Sequence, residues 1–484
     1  EIQSKFDATC FLDNVRTDSE RAGIVSLQKK LLSELGLGEH DIDDFSEGAE
    51  IIRKLLSHKK VLIILDDVSE RCRLENLAGN KQWFGTGSKI VIITDNKTLL
   101  TMYEQFERYE VERLHPDESL RLLSLEAFKK DEPEKGYLDL SKEVIEYVCG
   151  LPLVLKVLGS FLSKKNQNEW ENASERLRQN PPTDISSQLR ISYDGLEDEE
   201  YKRIFLDIAC FFNREPKLKV TNILASCGPQ STSGIIHAKK KTSEIIKALI
   251  EKSMLNVTRS NSDLRQNEKD QDRLDMIQKM RRDIFLPTYL YDWLLQEASK
   301  EYICVHDLLQ EMGKDIVSQE SPTNAGGCSR LWSLKDINDV LKENKGTGNV
   351  ECIVLNIQQS FEADWHPDCL SNMKELKLLD LSKVLLSRNL NSLPSALKIM
   401  RWEYYPLESL PPVDQLHELE SLQLCNSKIT KLWNGAPALG KLRIIDLSDS
   451  ECLETPDFSG TPNLEDLVLN RCRKLVKVHE SVGQ

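Results

Sequence analysis

Five short segments, LKLLDLS, LKIMRWE, LESLQLC, LRIIDLS and LEDLVLN, begin at Leu376, Leu397, Leu419, Leu442 and Leu464. They follow one another after 21, 22, 23 and 22 residues, and each puts large apolar side chains at its first, fourth and sixth positions. A unit that short cannot bury its own apolar row, whereas stacked units bury theirs against one another. Each segment reads as a short strand, followed by turn-rich stretches such as SLPSAL and SLPPVDQL. Spacing and pattern together predict about five leucine-rich repeats over 346–484.

The rest of the chain has a different rhythm. ATCFLDNV (8–15) is a short apolar strand candidate. Ile24, Leu27, Leu31 and Leu35 then keep helical spacing up to a stop at Gly36. A second helix, about Glu50 to Leu56, leads into VLIILDD (61–67), and GSKIVIITDN (87–96) gives another continuous apolar run. Strands apolar on both faces and separated by helices predict a parallel α/β sheet covered on two sides. From about His115 to Glu320 helical patterns take over, among them RIFLDIACFF, apolar all round except for Arg203 and Asp207 and so expected to be largely buried. Residues 257–300 break the pattern. Their first half is charged and polar and reads as a solvated or disordered insertion, whereas FLPTYLYDWLLQ reads as a short docking helix.

Bulk properties exclude several classes. A chain of 484 residues is long enough for roughly three domains. Its net charge of −14 argues against direct nucleic-acid binding, which needs a basic face. No run approaches the 18 or so apolar residues of a membrane span. Twelve cysteines sit singly, with no C-x-x-C pair, and read as free thiols of a reducing compartment. The opening EIQSKFDATC shows no secretory pattern and no Met, so the chain is expected to be cut from something longer.

FDATCFLDNVR, KVLIILDDV, GSKIVIIT, GLPLVLKVLGSFL, FLDIACFF and VHDLLQEMGKDIV occur in that order ahead of the repeats. Together they closely resemble the plant intracellular disease-resistance receptors that join an NB-ARC nucleotide switch to leucine-rich repeats, in the subclass with an N-terminal TIR domain. The resemblance implies a multidomain α/β plus α plus repeat architecture. It would comprise an incomplete P-loop-NTPase-like sheet (1–115), a helical domain (116–183), a winged helix with the insertion (184–335) and a leucine-rich-repeat solenoid (346–484).

It also implies roles for single residues. Asp66 would hold Mg²⁺ and Asp67 would polarise the attacking water, a fitting task for carboxylates fixed at a strand end. Thr94 would lie beside the phosphate, Gly150 and Pro152 near the adenine. His306 would approach the ADP β-phosphate, while Asp307 could cap the helix that follows.

Two departures temper this. Position 95, usually an arginine that senses the terminal phosphate, is Asp95. The phosphate-loop pattern G-x-x-x-x-G-K-[ST] is absent from the 484 residues, and GTGSK (85–89) has the wrong spacing and leads into a strand. The strand carrying such a loop is interior in this fold, so its absence is expected to open a gap between strands. The expectation is therefore a defence-receptor fragment, truncated before the loop and within the repeats. ADP/ATP with Mg²⁺ would be the cofactors of the intact type, not bound tightly by this chain. Enzymatic activity would be at most a slow ATPase, with no TIR-borne NAD cleavage. Partners would be a pathogen effector or a host protein, through the repeats, with self-association, in the cytoplasm or shared with the nucleus. The alternative is a nucleotide-independent repeat scaffold.

Overall fold

The structure is a computed structural model describing residues 3–96, 98–99, 107–179, 184–196, 198–228, 234–259, 301–452 and 454–482. Most of the polar stretch and all of the aromatic run of 257–300 lie outside the described residues. The chain separates into two compact units, Glu1–Val111 with Asn356–Gln359, and Glu112–Leu355 with Ser360–Gln484.

The first unit is built on three parallel strands in the order β1 (Ala8–Leu12), β2 (Val61–Leu65), β3 (Lys89–Ile92). Val61, Ile63 and Leu65 are fully buried under α1 (Val15–Glu34), α2 (Phe45–Leu56) and α3 (Arg71–Ala78), in one core with Leu31, Ile52, Leu56 and Leu77. On the opposite face Phe11, Ile64 and Val91 share a row, and Phe11 and Val91 are each 43% exposed. Among the described residues, then, helices cover one face rather than the expected two.

The predicted gap is not there either. β1 pairs directly with β2 and β2 with β3, so the described strands are contiguous. Hydrogen bonding between neighbours fixes the order, leaving one side of β3 as a free edge among the described residues rather than a slot in the middle. α1 begins nine residues before Ile24 and is broken at Gly23 (φ 76°), then stops just ahead of Gly36 (φ 70°) as expected. α2 begins earlier than expected because Asp44 caps it, accepting from the Ser46 and Glu47 amides at 2.7 and 3.0 Å.

The second unit opens with helices α4 (Pro116–Phe128), α5 (Leu138–Val148), α6 (Pro152–Leu162), α7 (Gln167–Gln179), α8 (Ile185–Asp194), α9 (Glu199–Phe211), α10 (Lys217–Cys227) and α11 (Gly234–Glu251). Trp170, fully buried, stacks on Phe128 with ring centroids 5.4 Å apart. A small antiparallel sheet sets β6 (Glu301–Cys304) between β4 (Glu215–Pro216) and β5 (Asn256–Arg259), and α12 (Asp307–Ser318) follows. The apolar stretch of α9 is buried as its composition predicted, and Arg203 and Asp207 within it find partners. Asp207 accepts from Arg203 at 3.1 Å and from Arg330 at 2.7 Å.

A seven-stranded sheet follows in strict chain order, from β7 (Arg330–Leu331) and β8 (Cys352–Ala363) through β9 (Leu378–Leu386), β10 (Ile399–Glu403), β11 (Ser421–Gln423) and β12 (Ile444–Asp446) to β13 (Asp466–Val468). Leu378, Ile399, Ser421, Ile444 and Asp466 stand opposite one another, so the sequence offsets of 21–23 residues are the pairing offsets. Two strands at the start of this sheet, β7 and β8, had no counterpart in the repeat pattern.

A second column keeps the same spacing: Lys383, Tyr404, Asn426, Asp449 and Arg471 all have left-handed backbone, with φ between 56° and 63°. Only Asn and Asp adopt this conformation cheaply among non-glycine residues. Tyr404→Asn places there what the next unit already has at Asn426. It should stabilise the protein by about 1 kcal/mol, read as a higher urea midpoint.

Candidate functional site

The carboxyl ends of the three parallel strands are where an open α/β sheet binds ligands. The sequence sends polar residues there from each strand: Asn14 and Arg16 after β1, Asp66 and Asp67 after β2, Thr94 to Asn96 after β3. Their loops are tied together through backbone groups. The Asp66 amide donates to the Leu12 carbonyl at 2.8 Å, and the Val68 amide to the Ile93 carbonyl at 3.1 Å. The start of α1 has no side-chain cap; instead Val15 and Arg16 donate their amides to the Asp66 and Asp67 carbonyls at 2.9 and 3.0 Å. Asn14 (φ 52°) and Asp67 (φ 56°) are both left-handed, a conformation these two residue types adopt at little cost.

Of the acids singled out from sequence, Asp67 is held by Arg16, whose Nε donates to Oδ2 at 3.1 Å, while Arg16's own amide binds the Asp67 carbonyl. The Asp67 carboxylate, largely shielded, is thus already engaged by a cation. Thr94 is half-buried, and its hydroxyl accepts from the Asn96 amide at 3.0 Å. Asn96 in turn donates through Nδ2 to the Ser69 carbonyl at 2.8 Å, joining the loops after β2 and β3. Sequence reasoning missed Arg16 and Asn96. The usable signal for both was position, since each lies a few residues past a strand end.

The structure thus brings Asp66, Asp67 and Thr94 to one edge of the first unit. Gly150, Pro152 and His306 belong to the second. Gly150 (φ 72°) follows Cys149 (φ 53°) in the sharp turn between α5 and α6. It accepts from the Leu114 amide at 3.0 Å, and a Cβ there would come within 2.3 Å of the Leu114 carbonyl oxygen. Only glycine satisfies both the backbone angle and the approach. Gly150→Ala is expected to cost about 1–3 kcal/mol, measured by the urea midpoint of α5–α6 unfolding. Pro152 is the first residue of α6, where its fixed φ suits the helix start and its missing amide costs nothing.

His306, not Asp307, caps α12. The helix begins at Asp307, and His306, with extended backbone, accepts the Leu308 amide at Nδ1 at 3.3 Å. Asp307 falls in the first turn, where its charge favours the helix dipole. With Nδ1 accepting, the neutral ring carries its proton on Nε2, an exposed donor.

A divalent ion and a nucleotide find only part of what they need here. Asp66 and Asp67 supply hard oxygens, but Arg16 holds Asp67, and no group of three or more His, Cys, Asp or Glu among the described residues gathers to hold a metal. No glycine-rich loop in the sequence offers amides to a phosphate. None of the described helices is long and apolar enough to cross a membrane.

Residues 1–133 match the NB-ARC domain family. Over its whole length the chain is 33% identical to disease resistance protein RPV1 of Vitis rotundifolia, covering 33% of that protein. It is 35% identical over 99% of its length to TMV resistance protein N of Nicotiana glutinosa, covering 37% of that relative. Against disease resistance protein RPP2B of Arabidopsis thaliana, identity is 32% over 97% of the chain and 35% of the relative. The chain spans about a third of the length of these relatives. It carries an NB-ARC domain within residues 1–133 and over its length is similar to plant disease resistance proteins.

Proposed function

We propose that the chain is part of a plant defence receptor whose state is set by ADP or ATP and whose leucine-rich repeats read a protein signal. Four parts divide the work: a nucleotide-binding region (1–115), a helical domain (116–183), a winged helix (184–335) and a repeat solenoid (346–484). In the intact receptor Asp66 serves a phosphate-bound Mg²⁺, Asp67 orients water and Thr94 flanks the phosphate. Gly150 and Pro152 shape the adenine side, and His306 offers its Nε2 proton to ADP. Such a ligand switches the receptor only by binding its two states with different affinity. The repeats take a pathogen effector or a host protein, self-association follows, and the setting is the cytoplasm, shared with the nucleus.

One observation carries this reading: Asp66, Asp67 and Thr94 converge on the carboxyl ends of parallel strands, where this class of sheet places its ligands. In the polypeptide of residues 1–484 nucleotide binding is impaired, because the phosphate-loop pattern is not among those residues and Asp95 opposes a γ-phosphate. The same two features favour a second reading, a nucleotide-independent repeat scaffold. The coding sequence upstream of Glu1 separates the two. A glycine-rich loop ending in Gly-Lys-Thr supports the switch; continuous sequence without one overturns it in favour of the scaffold.

A further inference from the structure

The position just after the first leucine of each repeat segment is charged throughout: Lys377, Lys398, Glu420, Arg443 and Glu465. Most of this row pairs within the sheet. Lys377 binds Glu351 at 2.8 Å, and Arg443 binds Glu465. Lys398 and Glu420 instead turn to the end of α10. Lys398, only 7% exposed, donates from Nζ to the Gly228 carbonyl at 2.8 Å. The Glu420 carboxylate accepts from the Ser226 hydroxyl.

The end of a helix leaves carbonyls without donors and carries partial negative charge, so a buried ammonium fits it. Gly228 is the residue that closes α10, its amide bonded back to the Leu224 carbonyl. Burial lowers the Lys398 pKa and raises that of Glu420, and each opposes the other's shift. Around the charges, Leu224 and Cys227 of α10 share one core with Leu378 and Ile399 of the sheet. The backbone completes the link, because the Glu420 amide donates to the Lys398 carbonyl at 2.8 Å.

We propose that Lys398 and Glu420 form a clasp by which two adjacent repeat strands hold the last turn of α10, so that a displacement of β10 or β11 is carried into that helix. The contacts lie within one unit, and the inference does not depend on the nucleotide reading. A partner that shifts β10 or β11 is thereby felt in the helical region, through two side chains rather than through the whole sheet.

Hydrogen exchange on the full 484-residue chain tests it. Lys398→Met keeps the volume of the stem and removes the cation. Exchange at 224–228 should then rise about tenfold, the equivalent of about 1.4 kcal/mol, while Ile444–Asp446 and Asp466–Val468 stay protected. Lys398→Arg, which can still reach the carbonyl, should restore protection. Should Lys398→Met fail to fold, Glu420→Met should produce the same local pattern. Unchanged exchange at 224–228 overturns the clasp. So does a loss spread evenly over β9 to β13, which is what a merely structural role would give.

Discussion

Asp207→Ala is expected to destabilise the second unit by about 3–5 kcal/mol, the range for breaking a buried ion pair from one side. Asp207 is 2% exposed and Arg330 is 5% exposed. Arg330 donates through Nε to Asp207 at 2.7 Å and through Nη2 to the Arg203 carbonyl at 3.2 Å, while Arg203 donates to the other Asp207 oxygen at 3.1 Å. Removing the carboxylate takes the ion-pair partner from the buried Arg330 and leaves Arg203 with Glu200 at 3.9 Å. Burial is the largest single influence and works against the Arg330 cation, but Asp207 with the other groups around it holds the Arg330 pKa above its usual value. Arg330→Met should cost less than Asp207→Ala, because Asp207 keeps Arg203. The pair Asp207→Leu with Arg330→Met should cost less than the sum of the two single changes, with a coupling of about 0.5–3 kcal/mol. A two-unit chain need not unfold in one step, so exchange protection in α9 and β7 is the appropriate readout.

The second prediction concerns nucleotide. In polypeptide 1–484, Asp66→Ala should change ADP affinity by less than about twofold, under about 0.4 kcal/mol. Were a phosphate held beside β2, losing a Mg²⁺ ligand would cost far more than that. Two features lead to the small value. Backbone amides of a glycine-rich loop supply most of the phosphate cradle in such folds, and that pattern is not in these residues. The neighbouring acid, Asp67, is bound to Arg16 in the structure, so a metal must displace a cation to use it. Fluorescence titration of the variant against the parent protein checks the result, and a tenfold loss would mean that a phosphate does sit there.

Much of the architecture was legible because it is periodic. The 21–23-residue spacing of leucines is the offset by which β9 to β13 pair. The continuous apolar run at 61–65 correctly marked the central strand of the first unit. β7 and β8 escaped notice because Arg330–Leu331 is two residues long and its pairing is set by the sheet, not by local pattern. The expected gap was wrong for a similar reason: contiguity of β1, β2 and β3 is a long-range property that no window of sequence contains.

At the site, residue types were readable but their partners were not. Asp66 and Asp67 announce themselves by ending a strand, whereas the ion pair of Asp67 with Arg16 spans 51 positions. Likewise the cap of α12 turned on one backbone conformation. Both His306 and Asp307 can accept an amide, and only the helix start decides which does.

On the proposed function, residues 1–484 gather the acids of a nucleotide switch but not the phosphate-loop pattern, so nucleotide should bind them only weakly. Calorimetric titration of ADP with excess MgCl₂ into the purified polypeptide of residues 1–484 tests it most directly. A dissociation constant weaker than about 1 mM is expected, no more than about 4 kcal/mol of binding. A micromolar constant, or ADP released from the purified protein on acid denaturation, would contradict it.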